Sequence, residues 1–295
     1  MRYNKPALSF EQQYDLLLDR GLIIPDRLRA QRWLRHISYY RLSAYFLPFK
    51  VADNQFVAGT TFDQVAGLYI FDRKLRLILM EAIERFEVAL RTGLTYGISH
   101  QYGPFGHVDP LNFDARFDHE EFMEELAKAE EQSRESFITH YRSKYVSEDH
   151  LPLWMASELM SFGRLSRIFK NTHPDIKKTF ARRLDVADAK IISSWLHTLN
   201  YVRNVCAHHS RLWNREIAVK PILPRASPAW PYLIPQTDRL YQVLTIIRHT
   251  LVRTWPQCRW RDRLFALFDQ HPTVDLAAMQ IPVDWRTVPP WTGEI

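Results

Sequence analysis

The sequence predicts an all-α protein, a helical bundle with N- and C-terminal helical extensions, on three observations. Apolar residues recur at helical spacing over long stretches, most clearly Leu75, Leu79, Ala82, Phe86, Ala89 and Leu90 on one stripe. Helix-start chemistry precedes such stretches, with Ser9 and Gln12 spaced as a capping box. Glycine is scarce, 9 of 295 residues, and neither G-x-G-x-x-G nor G-x-x-x-x-G-K occurs. Glycine-rich phosphate loops and turn-dense sheets lose their support.

The elements follow in order. Residues 9–21 read as a helix ending at Gly21. Pro25 opens a second helix, which runs into the aromatic stretch 36–46 and is stopped by Pro48. Residues 49–60 read as a polar loop or short hairpin. Thr61 and Asp63 introduce the longest helix, to about residue 98, with Glu84, Glu87 and Arg91 beside its apolar stripe and Glu87 and Arg91 as an i,i+4 pair. A proline-bearing loop at 103–111 precedes an acidic segment, Asp114 to Glu135, read as a helix with a solvated face. Residues 154–162 read as helical, interrupted by Gly163 before Leu165 and Ile168. Residues 186–213 form a strong helix with Asp185 as N-cap. Pro221, Pro224, Pro228, Pro231 and Pro235 break the order, and an amphipathic helix at 237–254 and a short one at 260–270 close the chain. The expected organisation is an N-terminal helical segment over 1–60, a bundle over 61–220 and a proline-interrupted extension over 221–295.

Hydrophobic residues make 46%, charged residues 24% and aromatics 13%, which excludes disorder, and the length allows one or two folded units. Cys206 and Cys258 are too few for a disulfide framework or a structural zinc site. The N-terminus lacks an apolar core of signal-peptide length, and charges interrupt the later apolar runs, so a reduced cytoplasmic protein without a membrane span is expected. The net charge is +6 and the pI near 9.3. Of the 39 cations 29 are arginine, and Asp114–Glu135 holds 9 acids against 3 bases, leaving +12 on the remainder. Arginine's planar fork suits phosphate, so a nucleic-acid partner fits this body. Of the C-terminal tryptophans Trp230, Trp255, Trp260, Trp285 and Trp291, a core role is favoured over base stacking.

Chemistry concentrates near residue 203. Projected at about 100° per residue, Arg203, Asn204, His208 and Arg211 share one arc, while Trp195, Leu199, Val202, Val205 and Cys206 share the opposite one. His209 projects into the apolar arc and reads as a core histidine. Basic side chains at a helix C-terminus are favoured by the macrodipole alone, but arginine beside histidine also makes sense around an anion, where one neutralises charge and the other moves a proton. Metal ligation is disfavoured, since His208 and His209 project to different faces and no carboxylate cluster has ligand spacing. No cofactor is called for.

Arg203-Asn204-x-x-x-His208 resembles the R-x4-6-H motif of HEPN domains. The stretches Ile37–Tyr45, Tyr69–Arg76, Glu84–Thr92, Trp154–Met160, Phe162–Ser166 and Arg203–Asn214, in that order, resemble the Abi-like family (AbiD/AbiF type) of bacterial abortive-infection proteins within the HEPN superfamily. The resemblance covers about residues 8–224. It implies a HEPN-type bundle acting as a metal-independent endoribonuclease, with two motifs meeting across a homodimer, antiphage defence or a toxin-like role, and for some members a small noncoding RNA as partner. Arg203 and His208, with Asn204, are then the expected catalytic residues. Arg211, Glu87, Arg91 and Glu158 are expected to bind RNA or support them, at least one of the last three lying near Arg203. The alternative is a non-catalytic RNA-binding or scaffolding protein of the same superfamily.

Overall fold

The computed structural model describes residues 6–51, 54–225, 230 and 238–292. Among them lie twelve α-helices and no β-strand, only isolated bridges such as that between Ile23 and Thr61, so the fold is all-α. The chain divides into two compact units, Met1–Leu77 with Leu264–Val274, and Ile78–Arg263 with Asp275–Ile295. No helix among the described residues is long and apolar enough to cross a membrane.

The first unit holds α1 (Phe10–Asp19), α2 (Arg27–Ile37), α3 (Tyr39–Phe46) and the beginning of α4 (Phe62–Tyr102). Ser9 and Gln12 close the expected capping box on α1. α2 opens two residues after Pro25, at Arg27, with Asp26 as its cap, the carboxylate accepting from the Arg29 amide at 2.9 Å. The aromatic stretch is no continuation of α2. Ser38, at φ 72°, ends α2 and caps α3 by accepting from the Arg41 amide. The 49–60 segment carries one antiparallel bridge, Lys50 to Phe56. Thr61 and Gln64 form a second reciprocal cap at the start of α4. Inside this unit Asp72 is fully buried, taking the Tyr45 hydroxyl at 2.5 Å and pairing with Arg76. That pairing is what makes a buried carboxylate tolerable.

The second unit contains the rest of α4, then α5 (His119–Gln132), α6 (Ser136–Lys144), α7 (Leu153–Ala156), α8 (Phe162–Asn171), α9 (Pro174–Arg183), α10 (Ala189–Ala207) and α11 (Leu240–Thr254). α12 (Trp260–Asp269) begins in it and ends in the first. α10 is the central element. It packs on α8, α9 and α11 and buries Ile192, Trp195, Leu196, Leu199 and Val202 almost completely, each worth roughly 1.5–3 kcal/mol of transfer free energy. α4 meets α9 closely because Gly93 and Gly97 face Phe180 and Ile176.

Several expectations are corrected here. α5 has the expected solvated face, with Glu120, Glu124 and Lys128 exposed, but its other side is engaged: Glu121 and Glu125 pair with Arg164 and Arg167 of α8, and Phe122 and Leu126 are buried. Gly163 does not interrupt a helix but lies in the first turn of α8, capped by Ser161; the break is at Met160 and Ser161. α11 is not amphipathic, being buried continuously from Leu240 to Leu251. Its polar residues are satisfied internally: Thr245 and Thr250 donate to carbonyls one turn back, and Arg248 donates to the Pro290 carbonyl at 3.2 Å. Trp230, Trp260, Trp285 and Trp291 are core, while Trp255 is exposed under the Arg85 guanidinium. Pro221 and Pro224 lie in irregular chain as expected; Pro228, Pro231 and Pro235 lie outside the described residues.

Candidate functional site

α10 starts at Asp188, whose carboxylate accepts from the Lys190 amide at 2.8 Å. Asp185, the expected cap, stands earlier in the connection at φ 51° and takes Arg253 Nε at 2.8 Å. The far end decides the site. The helix stops at Ala207 rather than 213. The His208 amide donates to the Asn204 carbonyl at 2.9 Å, His209 to Cys206 and Ser210 to Val205, both at 3.0 Å. With His209 at φ 55°, this is a Schellman closure. Glycine usually fills that left-handed position, because a side chain there costs about 1–2 kcal/mol.

That ending places the functional side chains. Asn204 and His208 are exposed and Arg203 is half-buried, while Val202, Val205 and Cys206 opposite them are buried. Arg203 Nη1 lies 3.5 Å from Asn204 Oδ1. His209 is exposed, not in the core as projected, because the helix has ended before it. Arg211 also falls outside helical geometry, so its projected place on the same face does not hold. It is half-buried, and its carbonyl accepts from Arg215 Nη1 at 3.1 Å. Leu212 and Trp213 turn back into the core, and Trp213 Nε1 donates to the Asp275 carbonyl at 3.0 Å.

Arg215 has no signal in a helical projection, yet its Nε donates to Tyr201 Oη at 3.1 Å. Tyr201 stands seven residues before His208, hence on the same side of α10. The fold thus brings a cation and a phenol together beside the end of α10.

Glu87, Arg91 and Glu158 come together in a second cluster. Arg91 Nη2 donates to Glu87 at 3.1 Å and to the Met160 carbonyl at 3.2 Å, Nε to the Ser157 carbonyl at 3.0 Å, and Glu158 stands 3.9 Å from Nη1. This pins the corner between α7 and α8. Three residues on, a Cβ at Gly163 would stand 3.4 Å from Asn200 Nδ2, and Asn200 is one turn before Asn204. The Arg91 cluster is therefore joined to the middle of α10 through the 157–163 corner. Glu84 is exposed.

Two histidines elsewhere are structural. Burial pushes His107 down to about 4 and His249 to about 3. His249 donates Nε2–H to the Leu184 carbonyl at 2.7 Å and packs against both Trp195 and Trp230, whose rings also touch each other. Held neutral and out of solvent, they serve packing. Among the described residues no three His, Cys, Asp or Glu side chains gather as a metal-ligand set.

Compared with known proteins, residues 32–214 match the family model described as Abi-like protein. No curated protein and no solved structure matches the chain.

Proposed function

The chain belongs to the Abi-like protein family, and from that premise we propose that it is a metal-independent endoribonuclease of HEPN type. Family membership supports a role in abortive-infection defence; the enzyme would act there, or as a toxin-like component, under control of a bound noncoding RNA. The observation that carries the reading is the last turn of α10, which presents Arg203, Asn204 and His208 outward while its opposite side is buried.

RNA brings its own nucleophile. The 2′-hydroxyl attacks the adjacent phosphorus, the P–O5′ bond breaks, and a 2′,3′-cyclic phosphate and a 5′-hydroxyl are left. The protein must take the 2′-OH proton, give one to O5′ and stabilise the charge on the pentacovalent phosphorus. His208 moves the proton, a role typically contributing 10²–10⁴ in rate. Arg203 stabilises the charge, and Asn204 binds a phosphate oxygen or orients His208. Acid and base together need two proton-transfer groups. A homodimer bringing two copies of His208 to one phosphate meets that need.

The test is cleavage of single-stranded RNA in excess EDTA, with analysis of the product ends. The reading expects cleavage with cyclic or hydrolysed 3′-phosphate ends; loss of activity in EDTA, or 3′-hydroxyl ends, overturns it. Tight RNA binding without any cleavage would favour the scaffolding alternative.

A further inference from the structure

A cleft of about 500 Å³ opens beside the Arg91 cluster, between α4 on one bank and α7 with the turn after it on the other. The α4 bank shows two ridges at helical spacing, Arg91 and Thr95 on one, Tyr96 and His100 on the next. Trp154 and Glu158 line the opposite bank.

Two large aromatic side chains are left uncovered here. Trp154 is 50% exposed and Tyr96 56%. The His100 ring leans on Tyr96, centroids 4.0 Å apart with the planes inclined at 50°, and the Arg183 guanidinium stands 5.9 Å from the Tyr96 ring. Such a half-open aromatic pair favours a flat partner with an apolar face. The rim is polar: Thr95 touches the Ser157 hydroxyl at 3.3 Å, Arg91 is held by two carbonyls and Glu87, and the Glu158 side chain is 56% exposed. An aliphatic ligand would desolvate these groups without return. A planar heteroaromatic ring answers both demands, its face stacking on the aromatics and its edge hydrogen-bonding to Glu158.

We infer that this cleft receives one unpaired nucleobase of single-stranded RNA, held by Trp154 and Tyr96. The inference rests on the RNA-directed reading above for the identity of its ligand, but binding is read without cleavage. Base–aromatic stacking is sequence-tolerant and strong enough to set affinity in a short oligomer. The Arg91 cluster borders this cleft on one side and the 157–163 corner on the other. A base seated here would therefore help hold the strand on the same unit as Arg203 and His208.

The test uses the full chain and a fluorescently labelled deoxyoligonucleotide of six bases, which lacks the 2′-hydroxyl and is not cut by the proposed route. Anisotropy gives Kd, and the quenching difference between wild type and Trp154→Phe isolates Trp154 from the other eight tryptophans. Trp154→Ala and Tyr96→Ala should each raise Kd roughly 5- to 100-fold, and Trp154→Phe by less. If both alanine variants unfold cooperatively like wild type and bind as tightly, the cleft is no base site, and the ribonuclease reading is untouched. If Trp154-dependent binding persists in a protein that never cuts RNA, the cleft stands and the ribonuclease reading falls.

Discussion

Arg91→Ala tests whether Arg91 pins the corner that faces α10 or takes part in chemistry. Its side chain is 15% exposed, and the Glu87 carboxylate 18%. Truncation deletes charge-assisted hydrogen bonds to the Ser157 and Met160 carbonyls and the contact to Glu87. Hydrogen bonds to charged groups contribute about 1.5–3 kcal/mol each when buried; partial solvent access to the freed carbonyls brings the total to about 3 kcal/mol. Glu87→Gln keeps an acceptor but turns a charge-assisted hydrogen bond into a neutral one, so its cost should be about 1 kcal/mol, well below that of Arg91→Ala. Arg91→Lys keeps the charge but not the fork, and should fall between. Urea unfolding with an unchanged slope reports each difference as a midpoint shift. If Arg91→Ala is as stable as wild type within about 0.5 kcal/mol yet loses RNA cleavage, Arg91 acts on the substrate and the pinning argument is wrong.

Further expectations concern the core. Because burial lowers His249 and His107, only the unfolded chain takes up their protons as pH falls below about 6.5. Their contribution is complete above that pH and declines toward pH 4 at about 1.4 kcal/mol per pH unit per histidine. His249→Gln, which keeps a donor for the Leu184 carbonyl, should reduce the slope of unfolding free energy between pH 6 and 4, and an unchanged slope would contradict the burial argument. Gly93→Ala puts a Cβ 2.6 Å from the Phe180 ring, an overpacking cost of about 1–3 kcal/mol that exceeds the gain in helix propensity of about 1 kcal/mol. Gly67→Ala meets nothing within 4 Å and should stabilise, so thermal midpoints of the two variants should move in opposite directions.

What the sequence made legible was local chemistry. The capping box at Ser9 and Gln12 depends on residues three apart and appears as read, whereas Thr61 caps α4 with Gln64 as its reciprocal partner and not Asp63. Errors arose where a neighbour out of register decides. Gly163 looks like a breaker, but it lies in the first turn of α8 behind the Ser161 cap, and even a Cβ there would make only ordinary contact with Asn200. α11 carries enough polar residues to suggest a wet face, and only the fold supplies the Leu184 and Pro290 carbonyls that satisfy His249 and Arg248. α9 carries little start signal in its sequence, because its cap is a ring nitrogen of His173 ahead of Pro174, and ring-nitrogen capping carries little weight in sequence patterns. At the candidate site, Arg203, Asn204 and His208 were readable from spacing. The helix end was not, because His209 takes a conformation that a glycine would have announced. Arg215 and Tyr201 meet only once that closure folds the chain back.

If the end of α10 performs the chemistry, its side chains set the rate of the bond-breaking step. The most direct test is the single-turnover rate of RNA cleavage in EDTA for wild type, His208→Ala, Arg203→Ala and His209→Ala, at protein concentrations that saturate RNA binding. His208→Ala should slow the step by about 10²–10⁴ and Arg203→Ala by about 10²–10³. Alanine at Arg203 favours the helix, and a stable fold is expected in both. His209→Ala should cut near the wild-type rate. Cleavage by His208→Ala at the wild-type rate would contradict the account.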